Sequence, residues 1–359
     1  MEKKKNLVIV ESPAKSKTIE KYLGSDYKVV SSKGHIRDLS TKGKYGLGID
    51  VENDFKPDYV AIKGKSATIK ELKKDAKEAS RIYLASDPDR EGEAISWHIF
   101  DALKLKDKDY DRIEFHEITK PAVLEAFKHP RKIDDNLVKS QETRRMLDRI
   151  IGFRLSKLMQ SKTGGKSAGR VQSVALKLIV DREREIKAFI PEEYWTLEAD
   201  FVKGKTQFTA QLVKYKGAKP ELKNEAEVNK IIEEIKNSEC KVKEIKNTDK
   251  TVRPKAPYTT SKLQQDAANR LGFTSRKTMQ VAQQLYEGIQ IGSSRVGLIT
   301  YMRTDSVRIA QSALDDVRKW IGKNFPDQLP AEPIHYAVGK SAQDAHECIR
   351  PTYIDYTPD

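Results

Sequence analysis

Residues 81–100 read RIYLASDPDREGEAISWHIF. Arg81–Ala85 is a short apolar run and predicts a buried strand; Asp87–Glu93 then opens a helix that continues through Phe100. Three carboxylates, Asp87, Asp89 and Glu91, fall within five residues at the carboxyl end of that strand. In open α/β sheets, ligands bind outside the strands' carboxyl ends. Acids this close repel one another unless a cation balances them, and an all-oxygen donor set suits Mg²⁺. The plain alternative is that acids at a helix N-terminus only favour its dipole. Glu11, which ends another predicted strand, tilts the reading to a metal.

The alternation extends outward. Asn6–Val10 (NLVIV) reads as a buried parallel strand, and Ser12-Pro13 as an N-cap with proline at the first helical position. That helix ends at Gly24, and Tyr27–Ser31 is a second strand. Residues 40–60 read as an irregular excursion. Helix Lys65–Ala79, strand Arg112–Phe115 and helix Lys120–Lys128 complete a parallel, helix-covered sheet. Residues 135–188 have helical periodicity only. Tyr194–Tyr215 alternates like antiparallel strands turning at Gly204, followed by helix Glu225–Asn237 and strand Cys240–Asn247. Arg253–Pro257 reads as a hinge. Helices capped by Thr259 and Thr274 resemble a helix-turn-helix. Strand Gly297–Thr300 leads to Tyr301, with Asp305-Ser306 opening a helix whose stripe includes Ile309, Ala313, Val317, Trp320 and Ile321. The fold class is multidomain α/β and α+β.

The chain has 359 residues, room for two or three domains, with 38% hydrophobic, 33% charged and 8% aromatic residues. This excludes a wholly disordered chain. No apolar run is long enough to span a bilayer, and the N-terminus does not read as a signal peptide. Two distant cysteines, Cys240 and Cys348, exclude a disulfide framework and make a reducing cytoplasm the expected compartment. The net charge is +14, and Lys139–Lys177 carries ten basic residues against two acids. That concentration points to a polyanion partner rather than a scattered solvated surface.

Other chemistry clusters in short segments. Glu11 and Lys15 lie one helical turn apart, either as an exposed ion pair or as a proton carrier and a phosphate ligand. Tyr301 precedes Arg303, a phosphate-binding type of cation, by two residues. A tyrosine hydroxyl, with a reference pKa of about 10, needs a base, metal or cations to act as a nucleophile. Arg144-Arg145-x-x-Asp148-Arg149 lies on one predicted helix, and Ser167-Ala-Gly-Arg170-Val-Gln172-Ser173 offers small residues that let phosphates approach the backbone. Gly165-Lys166-Ser167 is no P-loop, because Gln160 stands where its first glycine belongs.

VESPAKSKTI, GHIRDL, SDPDREGEAI, RRMLDR, SAGRVQS, GLITYMRTDS and DAHECIRPT occur in that order. Together they resemble the type IA DNA topoisomerases, in their bacterial branch, over the whole chain. The resemblance implies a Toprim domain at 1–134 with an excursion at about 37–61, a helical single-strand DNA groove at 135–190, a β-rich arch segment at 191–256 and a gate domain at 257–359. It implies Tyr301 as nucleophile, with Glu11, Lys15, Asp89, Arg90 and Arg303 in catalysis. Mg²⁺ would sit on Glu11, Asp87, Asp89 and Glu91. DNA would be met by His35, Arg144, Arg145, Asp148, Arg149, Arg154, Ser167, Arg170, Gln172 and Arg303, with Asp305 and His346 in support. The implied activity is ATP-independent relaxation of negatively supercoiled DNA through a 5′-phosphotyrosine, by a monomer acting on single-stranded segments in a bacterial cytoplasm, with no membrane role. Rival readings are a topoisomerase III type decatenase, a Toprim metal nuclease or primase-like enzyme, and a non-enzymatic single-strand binder. Family members continue past the HECIRPT segment to close a ring, and many add zinc-binding modules. The gate domain is therefore expected to be incomplete at Asp359, with little or no relaxation by these residues alone.

Overall fold

The computed structural model describes residues 5–252, 254–337 and 347–357. Strand β1 (Asn6–Val10) is followed by α1 (Pro13–Leu23) and β2 (Tyr27–Ser31). Ser12 caps α1 by accepting from the Lys15 N–H at 3.2 Å, and Gly24 ends it at φ 81°. An excursion comprises β3 (Arg37–Leu39), β4 (Ile49–Asp50), β5 (Lys56–Pro57) and β6 (Tyr59–Ala61), with β3 antiparallel to β6 and β4 to β5. Next come α2 (Ser66–Glu78), β7 (Ile82–Leu84), α3 (Arg90–Leu103), β8 (Tyr110–Arg112), α4 (Lys120–Ala126) and α5 (Asp135–Lys162).

The sheet order is β2-β1-β7-β8, with every pair parallel. Strand β1 is apolar throughout because helices cover both faces. Val8 and Val10 join one core with Ile19, Tyr286 and Tyr301. Leu7 and Ile9 point the other way, into a core with Leu72, Ile95 and Ile99. The excursion is anchored separately: Leu39, Leu47 and Ile49 pack on Met146 and Ile150 of α5.

Contacts divide the chain into two units, 1–170 with 254–359, and 171–253. This is coarser than the four segments expected from sequence. In the second unit, α6 (Arg170–Ala188, its first residue in the first unit) buries no side chain. Strands β9 (Glu198–Lys203) and β10 (Thr206–Gln211) form a hairpin turning at Gly204, φ 62°. Helix α7 (Glu225–Lys236) packs Val228 and Ile231 against Leu197, Leu212 and Leu222. In the first unit follow α8 (Thr260–Leu271), α9 (Ser275–Glu287), the hairpin β11 (Ile289–Ile291) and β12 (Ser294–Val296), and α10 (Gln311–Asn324). Thr259 and Thr274 cap α8 and α9 as expected.

Four expected elements differ. Cys240–Asn247 forms no strand; Val242 and Ile245 are exposed and gain no ladder partner among the described residues. The strand expected at Arg112–Phe115 is β8, two residues earlier, because its register is set by pairing Ile82 with Tyr110 and Leu84 with Arg112. Gly297–Thr300 is extended but makes only an isolated bridge between Ile299 and Pro351. Its neighbours split the pairing: the Thr300 N–H donates to Arg350, the Tyr301 N–H to His116. Asp305-Ser306 does not open a helix; α10 starts after Ala310, whose N–H donates to Glu347 Oε1 at 2.6 Å.

Candidate active site

The acidic loop is built by the turn from β7 into α3. Asp89 is the N-cap of α3 and accepts from the Gly92 N–H at 2.8 Å. Gly92 is required there, since a Cβ would lie 2.1 Å from the Asp87 carbonyl oxygen. The neighbouring strand delivers Glu11, and the first turn of α1 delivers Lys15. The Lys15 ammonium is wholly buried and bridges the Glu11 and Asp87 carboxylates, while lying 5.0 Å from the Tyr286 ring centre. The Asp87 N–H donates to Glu11 Oε2 at 3.2 Å.

This trio sets its own titration. Burial works against the Lys15 charge, but Asp87 and Glu11 hold its pKa above the ordinary value. Burial, with the Glu11 charge added and Lys15 opposing, pushes Asp87 up to about 7. Burial works against Glu11 too, yet Lys15 and its hydrogen bonds to Asp87 keep it below the usual range. Of the two carboxyls, Asp87 is thus the one raised toward neutrality while Glu11 is held low.

Tyr301 arrives from more than two hundred residues away. Its hydroxyl donates to Asp89 Oδ2 at 2.5 Å, and its ring meets Tyr286 edge-on, with centroids 5.3 Å apart. Only 3% of Tyr301 is exposed. Burial, then the Asp87 and Asp89 charges, hold its phenol far above the usual value, so it is protonated in this arrangement. Arg303, with an exposed side chain, lies 3.8 Å from Asp89 Oδ2. Tyr301 and the acids are thus in contact within these residues. Asp305 and Arg90 are exposed. His346 lies outside the described residues.

Glu91 faces an open cleft of about 700 Å³ that Glu11, His35, Asp87, Asp89 and Arg303 also line. It lies 3.5 Å from His35 Nε2 and accepts from Gln141 Nε2 at 3.1 Å. The His35 hydrogen bond, against some burial, holds Glu91 low. Among the described residues, no three His, Cys, Asp or Glu side chains are grouped to hold a metal ion. Glu11 and Asp87 instead clamp Lys15, and Asp89 meets Tyr301. By chemistry the cluster nevertheless fits Mg²⁺. It offers only oxygen donors, its carboxylates outnumber the cations beside them, and Asp87 and Glu91 retain a face on the cleft.

The basic stretch is less free than its charge suggests. Arg149 is buried and donates to the Ser40 and Leu39 carbonyls at 3.0 and 3.3 Å. Arg145 Nε donates to Asp38 Oδ1 at 2.9 Å, and Arg170 Nε to Asp148 Oδ1 at 2.8 Å. Arg154 stacks over Tyr45 at 5.1 Å. Arg144 shares a second cleft with His35, Arg145 and Asp148. Ser167, Lys157 and Lys166 line a third with Arg145 and Arg149. Gln172 lies on α6 in the second unit. Sequence reading missed Tyr286, Gln141 and Asp38. The apolar stripe of α9 was the only signal for Tyr286, Asp38 lay unremarked within GHIRDL, and nothing local marked Gln141.

A parallel sheet with acids at its strand ends, opposed by a tyrosine from a remote segment, defines a Toprim protein with a phenol at its acidic edge. Residues 6–118 match the family model described as Toprim domain. Residues 132–358 match the model described as DNA topoisomerase, and the chain belongs to that family. It is 52% identical over 358 residues to DNA topoisomerase 1 of Treponema pallidum (strain Nichols), covering 99% of this chain and 49% of that protein. Full-length topoisomerase I of Thermotoga maritima has a similar structure, with a TM-score of 0.81 and 42% identity over 96% of this chain and 55% of that one. The chain thus spans about half the length of these relatives.

Proposed function

We propose that this chain carries the cleavage centre of a type IA DNA topoisomerase, acting as a monomer on single-stranded segments of negatively supercoiled DNA in a bacterial cytoplasm. The observation that carries the reading is the Tyr301 hydroxyl 2.5 Å from Asp89 Oδ2. A metal nuclease or primase-like enzyme would have no use for that phenol. The exposed cations Arg154, Lys157 and Lys166 support a nucleic-acid partner.

In the reaction, the scissile phosphate enters beside Tyr301, where the exposed Arg303 side chain meets it. The phenol proton passes to Asp89, which already accepts its hydrogen bond. The Tyr301 oxygen bonds to phosphorus, the P–O3′ bond breaks, and the phosphate stays on the tyrosine as a 5′-phosphotyrosine. A proton taken up at the Asp87–Glu11 pair, where Asp87 is raised to about 7, goes to the leaving 3′-oxygen. Lys15 and Arg303 balance the charge that builds on the phosphate. Resealing is the reverse. The ester retains the bond energy, so no nucleotide is consumed. Mg²⁺ held by Asp87, Asp89 and Glu91 would supply positive charge at the 3′-hydroxyl and phosphate.

The test is Tyr301→Phe with a 3′-end-labelled single-stranded oligonucleotide. The variant should fold and bind DNA as before, yet leave no label on the protein after denaturation. Label retained by the variant would assign the nucleophile to another residue.

A further inference from the structure

Arg112, the last residue of β8, is wholly buried, as is its ion partner Glu93. Its Nε donates to Glu93 Oε2 at 3.1 Å. The remaining donors go to backbone: Nη1 to the carbonyls of Leu84 at 3.2 Å, Ser86 at 3.0 Å and Ile113 at 2.5 Å, and Nη2 to that of Asp87 at 2.8 Å. Two of these carbonyls, those of Ser86 and Asp87, belong to the turn that carries Asp87 and Asp89, and that of Leu84 ends the strand leading into it. Gly92 confines the same turn, since the Asp87 backbone lies too close to it for any Cβ. Below it, the Ser86 hydroxyl meets the Gly92 carbonyl at 2.5 Å and Ser96 Oγ at 2.7 Å. Glu93 is fixed in turn: Arg131 grips both its oxygens at 2.7 and 2.8 Å, and the Asp134 N–H at the start of α5 donates to it at 2.7 Å.

We propose that Arg112 is a positioning residue for DNA cleavage, its guanidinium fork holding the backbone of the acidic turn so that Asp87 and Asp89 stay aligned with Lys15 and Tyr301. This deepens the topoisomerase reading and rests on it. Arg112 touches neither the phosphate path nor the phenol; it acts through the Ser86 and Asp87 carbonyls. A guanidinium alone among side chains spreads donors over this fan of acceptors. A lysine keeps the charge for Glu93 but places all its donors on one nitrogen. Freed from Arg112, the Asp87 carbonyl has no other hydrogen-bond partner among the described residues, and the turn can rotate its two carboxylates out of register. Displacements of about 1 Å in a reacting constellation cost about a hundredfold in rate.

The experiment compares the wild-type chain, Arg112→Lys and Gly92→Ala, the last of which crowds the Asp87 backbone of the same turn while leaving the Arg112 side chain unchanged. Each is titrated with a 3′-labelled single-stranded oligonucleotide. The rate of denaturation-resistant adduct at saturating DNA is read separately from the half-saturating concentration, and folding is followed by circular dichroism. Both variants should keep the wild-type spectrum and half-saturation within about twofold, and lose at least tenfold in the saturated rate. A wild-type rate in Arg112→Lys overturns the proposal while leaving the topoisomerase reading intact. So does a loss of folding, or of binding in step with rate, since Arg112 would then serve stability alone. Absence of any Tyr301-dependent adduct from the wild-type chain overturns the reading itself, and the proposal with it.

Discussion

Lys15→Met removes one nitrogen from the most enclosed charge in the site and leaves the packing of its stem in place. The wild-type ammonium is 0% exposed, and the carboxylates it bridges are each 12% exposed at the side chain. Removing one partner of such a buried pair costs about 3–5 kcal/mol, because the remaining charge is stranded. Here two carboxylates are stranded, but they have an escape: Asp87 already titrates at about 7, so either carboxyl can take up a proton. Each unit of raised pKa is worth about 1.4 kcal/mol. With the ammonium gone, both folded-state carboxyls titrate above their unfolded values, and the folded state binds more protons than the unfolded chain. Stability is then full at low pH and lost as pH rises through the raised values. The expected loss is about 3–4 kcal/mol near pH 8, shrinking to about 1–2 kcal/mol near pH 5. Urea unfolding at the two pH values measures it, in a Trp195→Phe background so that Trp97 and Trp320 report on the first unit. A deficit that is absent, or equal at both pH values, would refute the account of Lys15 as the counter-charge of two buried acids.

Four further outcomes are expected. Burial, then the Arg37 and His35 charges, depress His98 to about 3, so its contribution is present above about pH 6.5 and lost as pH falls from there toward 3. Acid unfolding should steepen by up to about 1.4 kcal/mol per pH unit in that window, and His98→Phe should flatten it. Lys157→Ala with Lys166→Ala should lower the salt slope of single-strand binding by about 0.7 per lysine, as read by fluorescence anisotropy. Arg149→Ala should instead lower the unfolding midpoint, its guanidinium being committed to Leu39 and Ser40. Chelating Mg²⁺ should let the Tyr301 adduct form but slow its resealing, and equal resealing in EDTA would remove the metal from that step.

What could be read from sequence was what the chain encodes locally. Ser12-Pro13 and Gly24 bound α1, Asp89 caps α3, and the apolar run Asn6–Val10 must lie between two covered faces. The acids therefore fall at the strand ends on sequence pattern alone. Charge counting failed where it needed partners. Ten basic residues between Lys139 and Lys177 look alike on paper, yet Arg149 is spent on backbone carbonyls and Arg145 and Arg170 on Asp38 and Asp148. Tyr301 shows the same limit at the reacting atom. The run Leu298-Ile299-Thr300 has strand-like residues, but no single strand accepts it. Its backbone is gripped by Arg350 at Thr300 and by His116 at Tyr301, while the Thr300 hydroxyl donates to the Cys348 carbonyl at 2.6 Å and accepts from the Arg350 N–H at 3.0 Å. Arg350 in turn reaches Glu117 at 2.9 Å. The meeting of phenol and acid thus depends on hydrogen bonds linking three distant segments, 116–117, 300–301 and 347–350. Each pairing is invisible to periodicity because neither partner alters the local pattern of the other. The motif names the nucleophile, but its reach to Asp89 is a property of those long-range bonds.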